Sequence, residues 1–168
     1  VTPKERKALF KLLDESLKAC LKVRETEGQG LLKDIQKQIK SLSQQTQKIQ
    51  KLRGQALKSL TKKYHQRIEK LAADFKTDEQ RLAQEIVIQI DKSDINEEIQ
   101  RLNAHLKAIQ ALVVTSGPIG KKMDFYAQEL LREVNTIGSK STSSELTQVV
   151  VDAKGFVEKY REQVQNVE

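Results

Sequence analysis

Apolar side chains recur along this chain at intervals of three and four, and no stretch alternates with the two-residue rhythm of a strand. Thr2, Pro3 and Glu5 read as a helix start: a threonine cap, a proline suited to the first turn, and a glutamate that completes a capping box. Leu9, Leu12, Leu13, Leu17, Cys20 and Leu21 follow at helical spacing. Gly28 and Gly30 weaken the helix and predict a kink or break near Glu25–Gly28. Leu32, Ile35, Ile39, Leu42 and Ile49 then form a narrow stripe at coiled-coil spacing. After a phase change near Gly54 the stripe continues through Leu52, Ala56, Leu60, Tyr64, Ile68, Leu71 and Phe75. That change predicts an antiparallel arm with limbs over residues 31–52 and 55–75.

Thr77-Asp78-Glu79-Gln80 resembles a second capping box and predicts a helix running through Ile90. Asp94, with Glu97 three places on, predicts the cap of a helix that reaches about Val113. Thr115-Ser116-Gly117-Pro118 is the clearest loop. A further helix follows, ended by Gly138 and the Ser/Thr cluster at 139–144. A last helix covers roughly Glu145–Val167. The expected fold is all-α: an elongated helical domain with a protruding antiparallel coiled-coil-like arm. Its divisions are a leading helix (1–30), a basic helical arm (31–76) and a C-terminal helical domain (77–168).

Composition sharpens this picture. Apolar residues make up 38% of the 168, tryptophan is absent, and proline and glycine are sparse, which favours elongated helices over a large round core. Cys20 is the only cysteine, so no internal disulfide can form, in keeping with a reducing compartment. No apolar run approaches membrane-spanning length. The net charge of +7 is unevenly spread: residues 1–70 carry +11 and residues 71–168 carry −4. Between Lys33 and Lys70, eleven basic residues meet only Asp34 and Glu69. Such a stretch attracts a polyanion such as RNA or DNA through counterion release, or it forms a solvated face that keeps the protein in solution.

Two polar constellations bear on chemistry. At about 100° per residue, Asp124, Asn135, Gln128, Lys121 and Arg132 share one face of the helix after Pro118. Glu129, Lys122 and Glu133 form a second face that reads as ordinary salt-bridged surface. Tyr126, Ile137, Leu130, Met123, Val134, Ala127 and Leu131 form the packing face. The first stripe suits a cleft wall, with Arg132 and Lys121 on phosphate, Gln128 and Asn135 orienting it, and Asp124 on a metal ion or water. It equally suits a solvated surface. In the second constellation Glu98, Arg101 and His105 share a helix face, a set that can ligate a divalent metal or move protons, or simply form a salt bridge beside a packed imidazole. There is no Ser-His-Asp order, CxxC, HExxH or Walker motif, so acyl transfer, hydride transfer and ATP chemistry lack residues to carry them.

Several of these segments also carry a family pattern. They include Arg24-Glu25-Thr26-Glu27-Gly28 with Asp34, Glu79-Gln80-Arg81-Leu82-x-Gln84-Glu85, Asp94-Ile95-x-Glu97-Glu98 and Arg101-Leu102-x-x-His105. More specific are Gly120-Lys-Lys-Met-Asp124-Phe125-x-x-Gln128-Glu129-x-x-Arg132-Glu133-x-Asn135-Thr136, Ser139-Lys140-Ser141, and the tail Arg161-Glu162-Gln163-x-Gln165-Asn166. Across residues 20–168 the chain resembles the C-terminal two thirds of the YicC-like bacterial endoribonucleases.

The resemblance implies a cytoplasmic, metal-dependent RNA endonuclease that assembles as a homo-oligomer, a hexameric ring, with an N-terminal α/β domain that this chain does not contain. Mn²⁺ or Mg²⁺ is the expected cofactor and RNA the expected partner, with no membrane involved. Candidate metal ligands are Glu85, Asp94, Glu98 and Asp124, and candidate catalytic residues are His105, Glu98, Asp124 and Arg132. RNA contacts are expected from Lys58, Lys62, Lys63 and Arg67 on the basic arm, and from Lys121, Gln128, Asn135 and Lys140. The competing reading is a non-catalytic helical module for RNA binding or oligomerisation, in which the acids are salt-bridge partners.

Overall fold

The computed structural model describes residues 2–74, 79–115, 117–141 and 143–167; for residues 56, 60, 65, 67–74, 79, 80, 82 and 83 it describes the backbone alone. Five helices account for nearly all of it: α1 (Pro3–Asp74), α2 (Glu79–Ser93), α3 (Asn96–Leu112), α4 (Gly120–Lys140) and α5 (Ser144–Val164). No strand occurs among the described residues.

The start of α1 follows its sequence signature. The Thr2 amide donates to Glu5 Oε2 at 2.7 Å, and the Glu5 amide donates to Thr2 Oγ1 at 3.4 Å, the reciprocal pair of a capping box. From there α1 continues for 72 residues without interruption. The expected kink near Gly28 and the fold-back at Gly54 are both absent. A glycine inside a helix costs about 1 kcal/mol relative to alanine, and the hydrogen-bonded turns on either side of each glycine outweigh that. The antiparallel arm does form, but its limbs are the C-terminal part of α1 and α2. Arg53, at the base of the arm, reaches Asp94 just past the end of α2. The capping box expected at Thr77-Asp78 falls on residues outside those described.

The middle of α1 packs with α3, α4 and α5 as a four-helix bundle. Neighbours run α1–α3–α4–α5 and back to α1, and the short connections make α3, α4 and α5 successively antiparallel. Ile35, Ile39, Leu42 and Ile49 of α1 share one core with Ile99, Leu102, Leu106 and Ile109 of α3. Met123, Ala127, Leu130, Val134 and Ile137 of α4 and Leu146, Val150, Ala153, Val157, Tyr160 and Val164 of α5 complete the core. Tyr160 donates its hydroxyl to the Met123 carbonyl at 3.3 Å, so this large buried side chain keeps its polar end satisfied. Burial, reinforced by the negative charge of Asp124, raises its pKa above the ordinary tyrosine value.

Two glycines have a geometric role here. Gly117 has φ +101°, which lets the chain turn before Pro118 between α3 and α4. At Gly138 a Cβ would lie 3.2 Å from Val150 Cγ1, so the missing side chain sets how closely α4 and α5 approach. By contrast, residues 3–30 of α1 are exposed throughout, including Leu9, Phe10, Leu12, Leu13, Leu17 and Leu21.

Candidate metal centre

Antiparallel pairing of α3 with α4 sets their polar edges against each other as a series of charged rungs. At the arm end, the Arg53 guanidinium grips Asp94 through Nε to Oδ1 at 2.9 Å and Nη2 to Oδ2 at 3.2 Å. The Arg53 hydrogen bond holds the Asp94 carboxyl below the usual aspartate range, against the opposing effect of burial and with help from the Asn96 amide. Because Asp94 Oδ1 also accepts from Asn96 N at 3.1 Å, it supports the first turn of α3, although Ile95 occupies the cap position. Next, Lys140 Nζ donates to the Asp94 carbonyl at 3.0 Å and to Glu98 Oε1 at 2.7 Å. Glu98 is 5% exposed, and its other oxygen is buried with no hydrogen-bond partner in the protein.

One turn on, Arg101 bridges two carboxylates. Its Nη2 donates to Glu97, and its Nη1 lies 3.5 Å from Glu133, which is 2% exposed. The next rung is His105. Its donor nitrogen and a carboxylate oxygen from each of Glu129 and Glu133 lie within 4.8 Å of one another. The imidazole packs at 5.7 Å from the Tyr126 ring, and Nε2 is buried without a hydrogen-bond partner in the protein. The carboxylates already have the Arg101 and Arg132 guanidiniums nearby, but the buried imidazole nitrogen has no partner, a cost that an ion shared with the two carboxylates would remove. One imidazole nitrogen and two carboxylate oxygens are a chemically suitable donor set for a divalent transition ion, so the residues fit a metal.

The residues singled out from sequence fall into separate places. His105 is in the cluster, and Arg132 borders it with Nη1 3.9 Å from Glu129. Asp94 and Glu98 are engaged by Arg53 and Lys140 on the neighbouring rungs. Asp124 points elsewhere: it accepts from Gln128 Nε2 at 2.9 Å and lies 3.6 Å from Arg161 of α5. Lys121, Gln128, Arg132 and Asn135 are exposed on that outer stripe. Glu85 is exposed on α2 and accepts from Gln89. Lys58, Lys62 and Lys63 are exposed on the arm portion of α1, and the Arg67 side chain lies outside the described residues.

Glu129 and Glu133 were missed. On a helical wheel they sit beside Lys122 and look like surface, because only the register of α3 against α4 brings His105 opposite them. Their four-residue spacing on one face was the available signal. Elsewhere, two segments of the family pattern that lie far apart in sequence converge. Arg24, Glu27, Gly28 and Asp34 of α1 line a groove of about 780 Å³ with Gln163 and Asn166 at the other end of the chain.

An elongated helical protein with an imidazole–dicarboxylate cluster between two antiparallel helices is the class that fold and site define. Residues 49–168 match the model of the endoribonuclease YicC-like C-terminal domain, and the chain belongs to that family. It is 39% identical over 165 residues to the probable endoribonuclease YicC of Clostridioides difficile (strain 630), covering 95% of this chain and 56% of that protein. It is 34% identical over 160 residues to the protein of the same name from Haemophilus influenzae (strain ATCC 51907 / DSM 11121 / KW20 / Rd), covering 95% and 55%. The chain thus spans about half the length of these curated relatives. None of the described helices is long and apolar enough to cross a membrane.

Proposed function

We propose that this chain carries the metal centre and part of the RNA-binding surface of a cytoplasmic, divalent-metal-dependent endoribonuclease. One observation carries the reading: His105, with its buried, unpartnered Nε2, set against Glu129 and Glu133. It is supported by the relatives' printed name, probable endoribonuclease. Glu129, Glu133 and His105 are the proposed ligands. The imidazole favours Mn²⁺ over Mg²⁺, which prefers an all-oxygen shell. When bound, the ion would lower the pKa of a water and offset charge that builds on the phosphate.

The other residues bind and position. Arg132 is exposed beside Glu129 and meets the phosphodiester, with Lys121 one face further out. The Glu98–Lys140 pair fixes the register of α3 on α4, and so holds the spacing of the ligands. Lys58, Lys62 and Lys63 draw RNA to the arm without taking part in chemistry. A homo-oligomer, hexameric as the family resemblance implies, fits the leucine-rich exposed face of α1 between Leu9 and Leu21.

Manganese binding to this chain, followed by electron paramagnetic resonance, tests the site. His105→Ala and Glu133→Gln should each weaken binding by more than the ~10–100-fold that losing a mere supporting residue costs. Asp124→Ala should leave binding unchanged, since Asp124 faces Gln128 and Arg161. RNA cleavage should stop in EDTA and return with Mn²⁺. Cleavage that persists in EDTA would overturn metal dependence. Mn²⁺ binding indifferent to both ligand variants, with no cleavage, would leave the non-catalytic RNA-binding or oligomerisation module.

A further inference from the structure

We infer that Arg101 is a second phosphate-binding cation of this centre, beside Arg132, and a catalytic residue that touches the scissile phosphodiester; the inference rests on the metal reading above. Arg101 lies four residues before His105 on α3 and so shares its face. Its guanidinium is aimed by two carboxylates, Glu97 on its own helix and the buried Glu133 of α4. Those two pairs engage only part of a planar fork of five N–H donors, and the side chain is 48% exposed, so donors are left over for a ligand and solvent reaches the side chain. Arg132, at 69% exposed, has only the longer contact to Glu129. Arg101 is therefore the arginine whose direction is fixed before any ligand arrives.

The local charge gives the fork its role. Glu97, Glu129 and Glu133 against Arg101 and Arg132 leave a formal charge of −1, which repels a phosphodiester. A divalent ion changes that to +1, and the same guanidinium then joins the ion in attracting phosphate. Metal and RNA thus bind this centre cooperatively, each strengthening the other. Arg101 acts with opposite sign on the two ligands. It competes with the ion for Glu133 and it supplies donors to the phosphate.

The test measures both ligands on this chain: Mn²⁺ affinity by electron paramagnetic resonance, and anisotropy of a labelled 2′-O-methyl oligouridylate with and without saturating Mn²⁺. In the unaltered chain Mn²⁺ should tighten RNA binding. Arg101→Ala should keep or tighten Mn²⁺ binding while losing ~10-fold or more of the Mn²⁺-dependent gain, as expected for a charged hydrogen bond. Arg101→Lys, which keeps the charge and guards against a variant that fails to fold, should bind Mn²⁺ normally and recover only part of the gain, because an ammonium lacks the fork. A merely structural Arg101 predicts the reverse, with Mn²⁺ affinity falling and the RNA gain intact. That result, or Arg101→Lys indistinguishable from the parent in the RNA gain, overturns the inference and leaves the metal reading standing. No Mn²⁺ binding by the parent chain overturns both.

Discussion

Replacing Lys140 with methionine separates a structural lysine from an RNA-contacting one. In the fold, Lys140 Nζ is spent on Glu98 and on the Asp94 carbonyl. The methionine keeps most of the aliphatic stem but removes the charge. It leaves Glu98, whose side chain is 6% exposed, with neither oxygen bonded. Breaking a fully buried pair by removing one partner costs about 3–5 kcal/mol. The Lys140 side chain is 31% exposed, so water reaches this seam and the cost falls to about 2–3 kcal/mol. For a chain of this size that is a drop in Tm of roughly 5–10 °C. Urea unfolding of Lys140→Met, Glu98→Leu and the double variant closes the cycle. The double variant should return to within about 1 kcal/mol of the parent, because an apolar pair has no stranded charge. RNA affinity should change little beyond the loss of one cation. If Lys140→Met unfolds within about 0.5 kcal/mol of the parent, or if the cycle shows no coupling, the rung does not hold α3 on α4 as argued.

Two further outcomes concern the arm. Asp94 is held below its ordinary value of 3.8, so its pairing with Arg53 contributes stability at neutral pH that is lost as pH falls through the lowered value. Arg53→Ala should therefore destabilise the protein at pH 7 and much less in strong acid. An equal loss at both pH values would show that the pairing does not titrate. Gly54→Ala should raise Tm, since a Cβ there meets nothing within 4 Å and helical alanine is better than glycine by about 1 kcal/mol. A lower Tm would mean that α1 needs a glycine at this point after all.

Local rules were legible where one segment contains both partners. Thr2 and Glu5 cap each other as their spacing implies. The apolar face read for α4 is the face that is buried, from Met123 to Ile137, because a 3.6-residue period needs no tertiary knowledge. Gly54 misled because a weak residue was read as a boundary, whereas α1 runs on to Asp74, twenty residues later. The candidate centre was half visible. His105 stood out as a rare residue on a polar face, but its counterparts lie on another helix, 24 and 28 residues further on. Helical periodicity cannot choose which of three faces of α4 turns towards α3 when two of them are polar. The packing of Leu130, Val134 and Ile137 decides that, and it places Glu133 inside and Asn135 outside.

The unbroken run of α1 stores an angle as well as a length. One rod of 72 residues, about 108 Å long, carries the exposed leucines near its start, the bundle's Ile35–Ile49 stripe in its middle and the lysines of the arm towards its end. Each added residue shifts one side of the rod relative to the other by about 1.5 Å and turns it by about 100°. The bundle fixes the phase at the middle. A single-residue insertion between Gly30 and Leu31 would therefore leave the Ile35–Ile49 packing intact while swinging the leucine face about a quarter-turn around the axis and moving Arg24, Glu27 and Gly28 away from Gln163 and Asn166. Any surface that engages those leucines is thereby keyed to the direction in which the His105–Glu129–Glu133 cluster faces. Residue count along this one helix sets the relative orientation of two surfaces that never touch.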